Sequence, residues 1–300
     1  MHGPGGALRA LLRVSVGGGD GQDRRKPPDE SSGGEGRGEK AKDGRMVVSI
    51  DLNADLGEGF GPWSMGDDAA MMDVVTTANI ACGGHAGDPE VMFASLQAAA
   101  ARGIVAGAHP GYADPAGFGR RVIPMSPDEI GRMIVAQVGA LQGVAALAGV
   151  RLRHVKAHGA LANLAADQAE VAAAIARAVR ALPGDLVLLA ISGTALESEG
   201  RKAGLAVVSE VFADRAYRAD GRLVPRSQPG AVLHDPEAVA ARILRFVETG
   251  RMPVLGGGEV ALAGRSVCVH GDSPGAVEMA RVLRARLEAA GVEIRPFAGG

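Results

Sequence analysis

The chain has 300 residues, 47% of them hydrophobic, enough to bury either one barrel-sized core or two smaller ones. A formal net charge of -2 and a pI near 6.4 leave no positive surplus for a phosphate backbone, which excludes nucleic acid as the main partner. Cys82 and Cys268 stand apart inside apolar runs, which argues against a disulfide framework or a structural zinc motif and for a reducing, cytoplasmic setting, and no run of about 18 apolar residues offers a membrane span.

Residues 1–45 hold 12 of the 45 glycines and the polar stretch from Asp20 to Arg45. Such a composition cannot offset the entropy of ordering a chain, so this segment is expected to be a disordered extension. Leu8 to Val16 is too short, and too interrupted by Arg9 and Arg13, for a signal-peptide core. Patterned sequence begins at Met46, which reads as a natural start preceded by misassigned upstream sequence; an organellar presequence is the alternative.

From Met46 to Gly300, short β-rich runs alternate with longer alanine-rich ones. Strands are expected at 46–53, 76–82, 104–109, 152–158, 186–191, 206–212 and 266–270. Helices are expected at 89–102, 127–149, 166–181, 235–249 and 274–290, several opening on Pro or Asp as helix starts prefer. Regular alternation without a break in composition predicts an α/β fold, a single closed barrel of the (β/α)7 type spanning 46–300. A doubly wound open sheet is the alternative, since alternation alone does not report closure.

In such folds ligands gather at the carboxyl ends of the strands, and here those ends are polar. The first strand runs into Asp51-Leu52-Asn53-Ala54-Asp55-Leu56-Gly57-Glu58, where a period of two puts Asp51, Asn53 and Asp55 on one face. Asp55 and Glu58 read either as site carboxylates or as caps of the next element. The second strand delivers His85 on a glycine-rich loop, with Asp88 and Pro89 opening a helix; Cys82 reads as a packing residue. The third ends at His109, followed by a mobile-looking loop carrying Arg120 and Arg121. The fourth aligns His154, Lys156 and His158, with His154 deeper than His158. A lysine buried there needs the first-strand acids as partners. Around the sixth strand, Arg215 and Arg226 either join an ion-pair network with Glu210 and Asp214 or bind an anionic substrate. The seventh ends at His270 and Asp272. Histidines closing four strands on one face predict an active site. Gly256-Gly257-Gly258-Glu259 lacks the spacing and the Lys-Ser/Thr of a phosphate loop.

The blocks Asp51 to Glu58, Ala78 to Asp88, Gly107 to Tyr112, His154 to Asn163, Glu210 to Tyr217 and Val269 to Asp272 resemble, in order, the successive signatures of the LamB/YcsF family. The resemblance implies a seven-stranded barrel related to the glycoside-hydrolase and polysaccharide-deacetylase type. It also implies ATP-dependent opening of 5-oxo-L-proline to L-glutamate as the A subunit of 5-oxoprolinase, with the B and C subunits as partners and ATP used by the assembled complex. Three positions depart from the pattern: Gly84 replaces an aromatic, Ala157 a proline and Ala162 a tyrosine.

For that reaction Asp55 or Glu58 is expected to act as base toward water, with His109, Lys156 and His158 polarising the developing oxyanion or phosphate. Asn53, His85, Arg215, His270 and Asp272 are expected to hold substrate, Arg215 through its carboxylate. Two alternatives stay open. One is a stand-alone metal-dependent deacetylase or amidohydrolase holding a divalent ion on Asp55, His154 and His158. The other is a non-catalytic subunit that binds a metabolite in the barrel mouth.

Overall fold

Seven short runs whose residues are nearly all buried form the sheet: β1 Ser49–Leu56, β2 Thr77–Ala81, β3 Val105–His109, β4 His154–Lys156, β5 Val187–Ile191, β6 Val207–Phe212 and β7 Ser266–Val269. The structure is a computed structural model that describes residues 39–40, 46–47, 49–271 and 275–299. The strands pair in parallel and in sequence order, and β7 returns to β1 with Ser266 opposite Asp51 and Cys268 opposite Asn53. That pairing closes the barrel and removes the open-sheet alternative. Glu293–Ile294 adds a short parallel strand beside the start of β1. The first strand begins later than expected because Met46–Val47 pairs antiparallel with Glu39–Lys40 instead. The rest of the expected N-terminal extension lies outside the described residues, as does Asp272.

The strands are buried on both faces, as parallel barrel strands must be. Leu52, Ala54, Ile80, Val155, Leu188, Val211 and Val267 face outward, beneath the helices. Those helices are α1 Asp68–Met72, α2 Pro89–Ala101, α3 Pro127–Leu147, α4 Gly159–Asp167, α5 Ala169–Ala181, α6 Ala195–Lys202, α7 Pro236–Thr249 and α8 Ala276–Ala289. Three start the same way, with Asp88, Ser126 or Asp235 accepting from first-turn amides and proline in the first turn. Ser126 and Glu129 add a reciprocal capping box.

By length and composition α3 is apolar enough to cross a membrane. Its stripe of Ile130, Ile134, Val138, Leu141 and Ala145 is instead buried in the main core, where each large aliphatic contributes about 1.5–3 kcal/mol.

One expected helix, 166–181, is divided. Gln168 adopts an extended backbone (φ -103°, ψ 104°), ending α4 before α5 begins. Because α4 starts as early as Gly159, His158 stands at its N-terminus rather than within a long strand.

Inside the barrel the layers are polar. Gly107 on β3 is required there, because a Cβ at that position would run into the His154 ring.

Candidate functional site

The lower layer of the barrel interior is a hydrogen-bonded plug. Thr76 and Thr77 hydroxyls donate to Asp51 Oδ1 at 2.7 and 2.6 Å, and Ser266 Oγ donates to Asp51 Oδ2. Asn53 Nδ2 donates to Ser266 Oγ at 2.7 Å, and Asn79 Nδ2 to Asn53 Oδ1 at 2.8 Å. His154 Nε2 donates to Asn79 Oδ1 at 2.7 Å, which fixes its tautomer, while its Nδ1 is buried without a partner. Burial pushes the Asp51 carboxyl up to about 6 against the three hydroxyl donors, and pushes His154 down to about 3.

Above it sits Lys156. Its Nζ lies 2.9 Å from Asp55 Oδ1, 2.8 Å from Glu210 Oε1, 3.2 Å from Asn53 Oδ1 and 3.2 Å from Cys268 Sγ. Burial opposes the charge on the lysine, but the Asp55 and Glu210 carboxylates hold its pKa well above the ordinary value. Burial alone would raise Asp55; His109 and Lys156 hold it well below the usual carboxylate range. The result is a buried ammonium between two carboxylates.

Next to the lysine, three imidazoles and a carboxylate converge. His109 Nδ1 donates to the Lys156 carbonyl at 2.8 Å, and His158 Nε2 to the Phe118 carbonyl at 2.8 Å. Their other nitrogens, His109 Nε2 and His158 Nδ1, face each other at 3.0 Å. Asp55 Oδ2 is 3.2 Å from His109 Nε2, and Glu58 Oε1 is 3.6 Å from His158 Nδ1 and 3.0 Å from His85 Nε2. The His85 and His158 rings stack at 3.6 Å with 4° between planes, whereas His109 meets His158 at 90°. Burial lowers His85 to about 3 and His158 to about 2.

The segment after β3 shuts over these rings. Phe118 takes a left-handed backbone (φ 53°), a conformation strained for a bulky residue. A Cβ at Gly119 would lie 2.7 Å from His85 Cβ and 2.8 Å from His158 Cδ2, so only glycine fits. The loop expected to look mobile is pinned: Asp114 accepts from Gly117 N and pairs with Arg121. Arg120 faces the cavity, with its guanidinium 5.0 Å from the Phe118 ring centre.

These groups line one cavity of about 470 Å³ whose outer wall is basic, carrying Arg120, Arg215, Arg218, Arg222 and Arg226. His270 joins that wall: its Nδ1 donates to Asp214 at 2.7 Å, and its Nε2 accepts from Arg226 Nη2 at 3.0 Å. Arg215 is largely committed, donating to the Ala231 and Val224 carbonyls at 3.3 and 2.7 Å.

Of the residues singled out from sequence, Asp55, Glu58, His109, Lys156, His158, Arg215 and His270 line this cavity, and His85 and Asn53 contact members of it. His154, expected beside Asp55 and His158 as a metal candidate, lies a layer lower and turns to Asn79. Cys82 and Cys268 are both buried thiols, and burial pushes Cys82 up to about 12. Asp88 caps α2 rather than entering the site. Sequence reasoning places Glu210 only in a charged network and misses its pairing with Lys156. Its inward position on an otherwise apolar strand is the available signal. At Gly84, the Gln137 amide fills the space a side chain would need and brackets Gly111, accepting from its N at 3.0 Å and donating to its O at 2.6 Å.

The LamB/YcsF family model matches residues 50–300. A 5-oxoprolinase A subunit from Rhodopseudomonas palustris (strain BisA53) is 52% identical over 255 residues, 85% of this chain and 100% of that protein. One from Mycobacterium avium (strain 104) is 53% identical over 251 residues, 84% of this chain and 100% of that protein. Among solved structures, the lactam utilization protein from Thermus thermophilus superposes with a TM-score of 0.79 at 46% identity, covering 83% of this chain and 100% of that one.

Proposed function

The chain belongs to the LamB/YcsF family, and we propose that it is the A subunit of an ATP-dependent 5-oxoprolinase, the component whose barrel mouth opens the lactam of 5-oxo-L-proline to L-glutamate. The observation that carries this reading is Lys156: a buried ammonium, fixed between Asp55 and Glu210, at the floor of a cavity walled by arginines.

A lactam resists water because amide resonance stabilises it, so catalysis needs a cation where the carbonyl oxygen gains charge. Lys156 supplies one that is already desolvated and oriented. Its two carboxylates keep it protonated, making it a donor rather than a base. Asp55 is engaged by Lys156 and Asn79 and held low, a poor proton acceptor. Glu58 is then the carboxylate that takes the proton from water, oriented by the 3.0 Å bond from His85. The substrate's own carboxylate meets Arg226, which is braced by His270 and Asp214, while Arg215 supports the segment that carries it.

ATP is assigned to the assembled complex with the B and C subunits. Gly256–Gly258 lies in the turn of an antiparallel hairpin, between Arg251–Pro253 and Glu259–Ala261, and not at a helix start where phosphate loops work. In the overall reaction one ring C–N bond breaks, water provides the new carboxylate oxygen, and ATP is hydrolysed to ADP and phosphate. The test is glutamate release from 5-oxoproline and ATP, measured with and without the partner subunits. Activity that needs all of them supports the reading; ATP-independent hydrolysis by the chain alone favours the amidohydrolase alternative.

A further inference from the structure

His109 and His158 each spend one ring nitrogen on a backbone carbonyl, which can only accept, so each of those nitrogens carries the hydrogen. The other nitrogens, His109 Nε2 and His158 Nδ1, then face each other at 3.0 Å, and Asp55 Oδ2 lies 3.2 Å from the first. Two lone pairs at that distance repel unless something positive lies between them. Glu58 Oε1 approaches the same point, 3.6 Å from His158 Nδ1. Among the described residues, Glu58, His85, His109 and His158 form the group whose ligand atoms all lie within 4.8 Å of one another.

The geometry points to a mononuclear divalent metal site, of the zinc and cobalt class, held by Glu58 Oε1, His109 Nε2 and His158 Nδ1 and open toward the Lys156 cavity. Donors about 2.0–2.1 Å from a tetrahedral zinc stand roughly 3.3 Å apart, and the two ligand separations the structure gives, 3.0 and 3.6 Å, bracket that value. The 90° angle between the His109 and His158 planes lets both in-plane lone pairs reach one point. His85 is not a ligand. Its ring is parallel to His158 and 3.6 Å away, so an ion in the plane of one ring lies well out of the plane of the other. His85 instead donates to Glu58 and fixes that carboxylate, while the carbonyls of Lys156 and Phe118 fix the two ligand imidazoles, the outer contacts that orient metal-bound histidines. A proton held between the two rings is the competing arrangement: it also faces Asp55 Oδ2, 3.2 Å from His109 Nε2, and leaves Glu58 outside it.

This site deepens the ring-opening reading and rests on it for its role: a divalent ion held beside Lys156 would supply Lewis-acid activation of water, with Glu58 one of the residues holding it. The test reads coordination and not turnover. Full-length protein stripped with chelator is titrated with Co(II), followed by visible absorption, and then with Zn(II) in competition, with bound metal counted by elemental analysis. One equivalent per chain is expected. Glu58→Gln and His158→Ala are expected to weaken binding at least 100-fold, His85→Ala about 10- to 100-fold, and His270→Asn not at all. X-ray absorption of the zinc-loaded parent, which needs no variant to fold, is expected to count two imidazoles. No binding at micromolar Co(II), a coordination shell without two imidazoles, or folded Glu58→Gln and His158→Ala proteins that bind like the parent would each overturn the site. That outcome leaves the ring-opening reading, with Glu58 as base, intact. Conversely, loss of the ring-opening activity with one ion bound would leave the metal site standing.

Discussion

Two polar layers sit one above the other inside the same barrel, and they are built in opposite ways. In the lower one, around Asp51, hydroxyl and amide donors from Thr76, Thr77, Ser266 and Asn53 meet acceptors in turn, and only His154 Nδ1 is left over. In the upper one, His109 Nε2 and His158 Nδ1 face each other at 3.0 Å, and His85 Nδ1 and Glu210 Oε2 have no hydrogen-bond partner. Buried polar groups are ordinarily satisfied, because leaving one unpaired costs about 1–3 kcal/mol. The lower layer therefore reads as a plug that keeps the barrel closed, and the upper layer as a site held ready for groups it must bind.

That contrast predicts that upper-layer substitutions are read in turnover and lower-layer ones in stability. The largest effect is expected at Lys156. Lys156→Met should reduce ring opening about a thousandfold and destabilise the fold by about 3–5 kcal/mol, since Asp55 and Glu210 lose their shared cation. Pairing it with Glu210→Gln should recover most of the stability and none of the turnover. Denaturant unfolding beside kinetics separates the two.

Asp51 tests the lower layer. Its folded pKa, raised from 3.8 to about 6, means the native chain binds the proton more tightly than the unfolded chain. Its contribution to stability is complete below pH 3.8 and is lost as pH rises through 6. At about 1.4 kcal/mol per pH unit the swing is about 3 kcal/mol. In Asp51→Asn that part of the slope should vanish; a parent and variant with parallel stability-versus-pH curves would contradict the account.

Smaller effects should follow at the mouth. Glu58→Gln should lower kcat about a hundredfold with little change in KM. Arg226→Ala should raise KM about tenfold, the loss of one charge-assisted bond to substrate, and leave kcat nearly intact. A kcat-dominated effect at Arg226 would move it from binding to chemistry.

The strands are legible in the sequence because each is a short apolar run ending in polar residues; closure is not, since alternation alone leaves an open sheet possible and it is the β7–β1 pairing that closes the barrel. α6 is not legible either, since Ala195–Lys202 buries only Leu196 and Gly200 and is otherwise polar. The break at Gln168 is hidden because no glycine or proline marks it. Strand-end chemistry places Asp55, His109, Lys156 and His158 in one mouth, although the period of two carries only from His154 to Lys156, since His158 stands at the start of α4. What the sequence does not carry is direction across the barrel. That Lys156 pairs with Glu210, that Arg215 spends itself on Ala231 and Val224, and that Gln137 fills the space beside Gly84 are contacts between elements far apart in the chain.

The most direct measurement is ATP-dependent glutamate release from 5-oxoproline by a complex reconstituted with the Lys156→Met/Glu210→Gln chain, after that chain is shown to fold and to assemble with its partners. The account predicts turnover about a thousandfold below the parent. Turnover at the parent rate would contradict it and move the chemistry away from this barrel mouth.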